Sequence, residues 1–313
     1  SFYLLTVYKV NTYIMENKKL PIAIIGAGPV GMAAAAHLVK RGLNFVLLES
    51  GAQVGSNLLD WGHVKVFSPW RYNIDKTAEE LLLETSWKSP DKEGLPTGEE
   101  LYKLYLKPLS EHSKIQPHVL VNAKVISVGR KGTDKMKSDG REQQPFVLQV
   151  LHNNTQTLIE ASAVIDASGT WQNNNPIGSG GVFAFGELEN ANRITYRIPD
   201  VLGASKDRFI NKSVLVVGGG HSAINSILEL NKLQDLYPET QIHWVLRKKN
   251  IKEAYGGQEN DALPARGALG TKIEQLINDD KLSVYTPFQI REILLESDKL
   301  TITGLQHNVQ KAL

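Results

Sequence analysis

The segment from Leu20 to Glu49 constrains this chain more than any other. Leu20, Pro21, Ile22, Ala23, Ile24 and Ile25 form a short apolar run that suits a strand buried on both faces of a parallel sheet. Gly26, Ala27, Gly28, Pro29, Val30 and Gly31 follow as a G-x-G-x-x-G turn. The stretch from Met32 to Arg41 begins Ala-rich, has good helix propensity and stops at Gly42, which predicts a helix. Phe45 to Leu48 reads as the next strand and ends in Glu49. Each part has a physical task. Gly26 permits the tight turn, Gly28 lets the backbone approach a pyrophosphate, and Gly31, with small Ala35, lets helix and strand pack closely. The phosphates then meet the open amides at the positive end of the helix dipole. Glu49 stands at about the 20-residue spacing where an acid accepts from ribose hydroxyls, with Ser50 beside it.

A second unit of the same design starts at Ser213. Ser213, Val214, Leu215, Val216 and Val217 predict another buried strand, followed by Gly218, Gly219, Gly220, His221, Ser222 and Ala223, with Ala in the third small position. Ile224, Ile227, Leu228 and Asn231 follow helical spacing, and the strand Gln241 to Leu246 ends in Arg247, Lys248 and Lys249. Here cations replace the acid. An Arg beside the adenosine ribose binds a 2′-phosphate through charged hydrogen bonds, whereas a carboxylate would repel it, so NADPH is expected over NADH. The alternative is a solvated strand end. His221 is open between a phosphate contact and a residue that satisfies free helix amides. Gly220, His221 and Ser222 also resemble a hydrolase nucleophile elbow, but Ile224 stands where the last Gly of G-x-S-x-G belongs.

Composition excludes more than it selects. The 313 residues carry 35 Lys and Arg against 33 Asp and Glu, a net charge of +2 without a long run of either sign, so no nucleic-acid partner is expected. There is no Cys, which excludes disulfides, thiolate zinc sites and a dithiol reductase acting through cysteines of these residues, and it suits a reducing cytoplasm. The His residues show no metal-ligand spacing, and no metal is expected. No apolar run approaches the roughly 20 residues of a membrane helix, so a chain that does not span a membrane is expected. Ser1 to Ile14 is aromatic and β-branched but lacks a signal-peptide pattern, and Met15 is read as the natural start.

Two dinucleotide units, the first ending in an acid and the second in an Arg, resemble the two-domain FAD and NADPH flavoproteins, among them the class B flavin monooxygenases and the fold relatives of thioredoxin reductase. Further segments carry the resemblance. Ala163 to Trp171, AVIDASGTW, followed by Pro176, looks like the turn by which the chain leaves the FAD domain, with Ala167, Ser168 and Gly169 at the cofactor. Leu95 to Leu106, LPTGEELYKLYL, resembles the helix before the strand HVLVNAKVISV.

The resemblance implies an α/β fold of two Rossmann-like domains, each a parallel sheet with a small β-meander. Residues 1–19 are then a tail, 20–205 an FAD domain and 206–313 an NADPH domain. It also implies hydride transfer from NADPH to FAD, then oxygenation of a small substrate. An NADPH oxidase or reductase serving another acceptor and a non-catalytic NADPH-binding module are the alternatives, and assembly is open between monomer and homodimer. Two departures stand out. The segment GVFAFGELENANRITYRIPD keeps Phe183 and Gly186 of the monooxygenase fingerprint but has no His, and no Gly-Asp pair follows residue 180, which predicts a C-terminally shortened member. In WGHVKVFSPWRYN, Ser68, Pro69 and Trp70 are the candidate flavin contacts, with ordinary aromatic core as the alternative. DALPARG reads as a helix start, or as a nicotinamide loop with Arg266 as charge partner.

Overall fold

A computed structural model describes residues 20–313. The expectations for the 1–19 tail, the signal-peptide pattern and Met15 lie outside the described residues. The chain divides into two compact units, one running to Gly62 and from Pro69 to Thr170, the other comprising His63–Ser68 and Trp171–Leu313.

In the first unit the chain runs β1 (Ile22–Ile25), α1 (Pro29–Lys40), β2 (Phe45–Leu48), α2 (Lys76–Leu83), β3 (Val119–Leu120), β4 (Ala123–Arg130), β5 (Phe146–His152), β6 (Thr155–Ala161) and β7 (Ala163–Asp166). The strands β3, β2, β1 and β7 form a parallel sheet in that order, with Ile22 level with both Phe45 and Ala163. Strands β4, β5 and β6 form a separate antiparallel meander. Met32, Ala35 and Ala36 of α1 and Ala23 and Ile24 of β1 are fully buried, the three alanines letting helix and strand lie close. On the meander, Leu148 and Val150 alternate inward and join Ala23, Leu48 and Ala161 in one core. Asp75 caps α2 by accepting from the amides of Thr77 and Ala78. The LPTGEELYKLYL helix starts at Gly98, because Thr97 and Glu100 form a reciprocal capping box.

In the second unit the elements are β8 (Ser213–Val217), α3 (His221–Leu236), β9 (Gln241–Val245), α4 (Pro264–Asn278), β10 (Ser283–Tyr285), β11 (Phe288–Glu296), β12 (Lys299–Gln306) and β13 (Val309–Ala312). Strands β10, β9 and β8 are parallel in that order, and β11 to β13 form the antiparallel meander. The expected fold class, two Rossmann-like α/β units each with a parallel sheet and a meander, is therefore present.

Three details differ from the sequence expectation. β8 is not buried on both faces, since Ser213 and Val217 are exposed at the edge of its sheet. The buried stripe of α3 is Ile224, Ile227, Leu230 and Leu233, while Asn231 keeps a buried carbonyl oxygen without a partner. The units change at Thr170 and Trp171, whereas 205/206 is the boundary expected from sequence. The cause is local. Glu187, fully buried, accepts from the amides of Ile177, Gly178 and Ala184 and from the Tyr196 hydroxyl, and Phe185 exchanges backbone hydrogen bonds with Arg291 and Ile293 at β11. The DALPARG segment is a helix start, with Pro264 as the first residue of α4. Among the described residues no helix is long and apolar enough to cross a membrane, and no group of His, Asp and Glu is placed to hold a metal ion.

Candidate functional site

Each unit carries a glycine turn at the N-terminus of a helix, and each can be built from its own residues. In the first, Gly26 has φ of 94°, and a Cβ there would lie 2.6 Å from the Ala167 carbonyl oxygen and 2.9 Å from Ser168 Cα. Only glycine lets β1 turn against the AVIDASGTW turn. The Ala167 amide donates to the Ile25 carbonyl at 2.8 Å, and Asp166 Oδ1 accepts from both the amide (3.0 Å) and the hydroxyl (2.6 Å) of Ser168. These bonds hold the Asp166 carboxyl below the usual carboxylate range. Gly169, with φ of 66°, is exposed beside them. Gly31 is equally obligatory: a Cβ would sit 1.9 Å from the Gly26 carbonyl oxygen.

Gly28 is different. It is the N-cap of α1 with an extended φ of −77°, no side chain caps the helix, no acid stands in its first turn, and nothing lies within 4 Å of where a Cβ would project. Pro29 and Val30 beside it are exposed. The result is an open cradle of helix amides that fits a pyrophosphate.

Glu49 is buried at the end of β2, and its carboxylate already organises this turn. Oε2 accepts from the Ala27 amide at 2.9 Å, Oε1 from the Gly51 amide at 2.8 Å, and the Ser50 hydroxyl lies 3.4 Å from Oε1. A carboxylate has about four acceptor positions, so with Oε1 taken by the Gly51 amide and the Ser50 hydroxyl, Oε2 keeps one that a ribose hydroxyl fits. Glu49→Gln sets an amide NH2 against one of two backbone donors. The variant is expected to retain FAD at least about tenfold less well, with the preference between NADPH and NADH unchanged. Flavin content after gel filtration and a competition between the two nicotinamide cofactors check both halves.

The second turn has the same backbone and different chemistry. Gly218 has φ of 113°, Gly220 is the N-cap of α3 without a side-chain cap or first-turn acid, and the Cβ space at both is open. Dinucleotide phosphates fit here on the same grounds. His221 is the first residue of α3 and makes no capping bond, so it does not satisfy the free amides. Its exposed ring lies 5.2 Å from that of Phe67. Ser222 is an ordinary second helical residue outside the left-handed region and Ala223 continues the turn, which removes the strained nucleophile elbow. Ile224 is buried core, which is why no glycine is needed there.

Register corrects one further expectation. The Gly26 amide bonds to the Leu48 carbonyl and the Gly218 amide to that of Val245, so the residue at the place of Glu49 is Leu246 rather than Arg247. Leu246 fills the space beneath Gly219, where a Cβ would meet its Cδ2 at 3.0 Å. The cations come one step later. The Lys248 ammonium donates to the Glu253 carbonyl and its own carbonyl accepts from the Thr286 hydroxyl. Arg247 is exposed and makes no ion pair or hydrogen bond among the described residues.

The remaining candidates are placed as follows. Ser68 falls in the second unit and Pro69 and Trp70 in the first. Trp70 is buried, its amide on the Gly94 carbonyl at 3.0 Å, and the Pro69 carbonyl accepts from the Asn73 side chain. Arg266 donates from Nε to both Asp261 oxygens at 2.9 Å, so its charge is taken within its own motif rather than held for a nicotinamide, and it keeps the Asp261 carboxyl below the usual range. Sequence reasoning missed Asp166, whose only signal is the Asp-x-Ser spacing of an Asx turn, and Ala27, whose amide is found only through its long-range acceptor.

Residues 23–312 match the family model described as pyridine nucleotide-disulphide oxidoreductase. Ferredoxin–NADP reductase 3 of Lysinibacillus sphaericus is 25% identical over 270 residues, covering 84% of this chain and 61% of that protein. Thiamine thiazole synthase of Thermococcus kodakarensis is 29% identical over 162 residues, covering 50% of this chain and 60% of that protein. The chain thus spans about three-fifths of the length of these curated relatives. Among solved structures, bacillithiol disulfide reductase of Bacillus cereus superposes with a TM-score of 0.68 at 16% identity, over 95% of this chain and 75% of that one. The FAD-bound cadaverine monooxygenase of Erwinia amylovora gives 0.63 at 14%, over 95% and 76%.

Proposed function

The chain belongs to the pyridine nucleotide-disulphide oxidoreductase family, with its two-domain FAD/NAD(P)-binding fold, and from that premise we propose that it is an FAD-dependent, NADPH-linked oxidoreductase of the monooxygenase type. The observation that carries the reading is the pairing of two open, uncapped glycine turns with opposite chemistry behind them: the buried carboxylate of Glu49 at one and the free guanidinium of Arg247 at the other. In the first unit Gly28, Pro29, Val30 and Gly31 receive the FAD pyrophosphate, Glu49 and Ser50 its ribose, and Ala167, Ser168 and Gly169 flank it. In the second, Gly218, Gly220, His221, Ser222 and Ala223 receive the NADPH pyrophosphate, while Arg247, with Lys248 behind it, takes the 2′-phosphate. Ser68, Pro69 and Trp70 are the proposed flavin-ring contacts.

When bound, FAD supplies hydride acceptance from NADPH and oxygen chemistry toward a small substrate. The chain's own part is to hold the cofactors, with charge complementarity setting which nicotinamide is accepted. These 313 residues contain no cysteine, so electrons do not leave through a dithiol formed by them. A second reading, an NADPH-dependent reductase serving another acceptor, draws on the 25% identity to ferredoxin–NADP reductase 3.

NADPH consumption with added FAD tests the proposal. Turnover with an oxygenated product supports the monooxygenase. Peroxide or reduced external acceptor as the sole product moves the reading to oxidase or reductase, and absence of turnover leaves a binding module.

A further inference from the structure

The two glycine turns are anchored by different means. In the first unit the acid at the strand end pins the turn, Glu49 Oε2 accepting from the Ala27 amide at 2.9 Å. In the second unit the equivalent position is the apolar Leu246, which cannot accept from the Gly219 amide, so that anchor is gone. A replacement stands two residues earlier. Trp244, fully buried on β9, donates its indole N–H to the Gly218 carbonyl oxygen at 2.7 Å.

The bond has a geometric consequence. The peptide between Gly218 and Gly219 is planar and trans, so its C=O and N–H point in opposite directions. Gly218 and Gly219 are both glycines, and such a peptide is free to rotate as a unit unless something holds it. With the carbonyl gripped by Trp244, the Gly219 N–H is turned the other way, toward the place that the Glu49 carboxylate takes at the equivalent Ala27 N–H of the first turn and that Leu246 leaves without a side-chain acceptor. A flipped peptide would lose the indole bond, turn a carbonyl oxygen to the ligand side of the turn and disfavour the negative charge of a dinucleotide there.

Resting on the reading of this turn as the NADPH site, we propose that Trp244 is a positioning residue for the dinucleotide pyrophosphate, fixing the Gly218–Gly219 peptide through its indole N–H in place of the strand-end acid. It acts on the pyrophosphate, which NADPH and NADH share, and not on the 2′-phosphate, which Arg247 reads.

The test is Trp244→Phe in the full chain, with the dissociation constants of NADPH, NADH and adenosine 2′-monophosphate measured by titration calorimetry. The fragment carries the 2′-phosphate and lacks the pyrophosphate. The expected result is about tenfold weaker binding of both NADPH and NADH, with adenosine 2′-monophosphate within about twofold of wild type. Unchanged NADPH binding overturns the proposal, and so does an equal loss for all three ligands, which marks general damage to the unit. Should the phenylalanine variant not purify as a folded protein, site-specific replacement of Trp244 by its benzothienyl analogue, with sulfur in place of N–H, makes the same comparison with shape preserved. Wild-type protein that binds none of the three ligands refutes the NADPH reading itself, and this inference falls with it.

Discussion

Arg247→Ala is expected to weaken NADPH binding by about 10- to 100-fold while leaving NADH within about twofold. The magnitude follows from losing one charge-assisted hydrogen bond to a phosphate, about 1.5–3 kcal/mol. Arg247 is the group for this task because it is exposed and uncommitted, whereas the Lys248 ammonium already donates to the Glu253 carbonyl. Lys248→Ala is therefore expected to have the smaller effect on selectivity. Arg247→Lys keeps the charge but gives up the planar fork, and is expected to recover only part of the preference. Parallel titrations with the two cofactors make the check. Equal losses for NADPH and NADH would remove Arg247 from the 2′-phosphate role.

The second large effect separates two glycines of one motif. Gly31→Ala places a Cβ 1.9 Å from the Gly26 backbone oxygen, and neither backbone segment can yield without moving α1 off β1. It is expected to destabilise the first unit by about 1–3 kcal/mol or more and to lower its unfolding temperature by several degrees. Gly28→Val meets open space and an extended φ that valine accepts, so it is expected to cost only about 0.5–1 kcal/mol for a poorer N-cap residue, less than Gly31→Ala. The valine side chain nevertheless fills the cradle, and FAD retention should fall by at least about tenfold. Thermal unfolding and flavin content of the two variants, read side by side, check this. A Gly28→Val protein that keeps its flavin would show that the cradle is not where the pyrophosphate lies.

The parts of the fold that sequence revealed are those written in local pattern. β2 runs from Phe45 to Leu48 and β8 from Ser213 to Val217, the bounds expected from apolar runs bordered by glycine and charge. Helix α1 begins at Pro29, slightly ahead of the Ala-rich stretch, because Pro at the first turn gives up an amide that has no helical acceptor anyway. What sequence did not reveal depends on long-range partners. The exposure of Val217 follows from the place of β8 at a sheet edge, which periodicity does not encode. That Leu246 rather than Arg247 stands at the place of Glu49 is a matter of register with Gly218, and motif spacing alone blurs it by one residue. The Asp261–Arg266 pair lies within DALPARG, yet sequence does not reveal that the two side chains face each other. The unit boundary differs because Glu187, an acid in a loop, is the buried acceptor that organises 177–196, and Phe185 and Asn190 then bond this segment to Arg291 and Ile293 of β11.

The central proposal is that the Glu49 turn binds FAD and the Arg247 turn binds NADPH. The most direct measurement is an anaerobic mixing experiment in which FAD-loaded protein meets NADPH, and separately NADH, while the visible flavin absorbance is followed. The account predicts bleaching by NADPH, slower bleaching by NADH at the same concentration, and loss of that difference in Arg247→Ala. Flavin that binds but is not bleached by NADPH, or a chain that takes up no FAD at all, would contradict it.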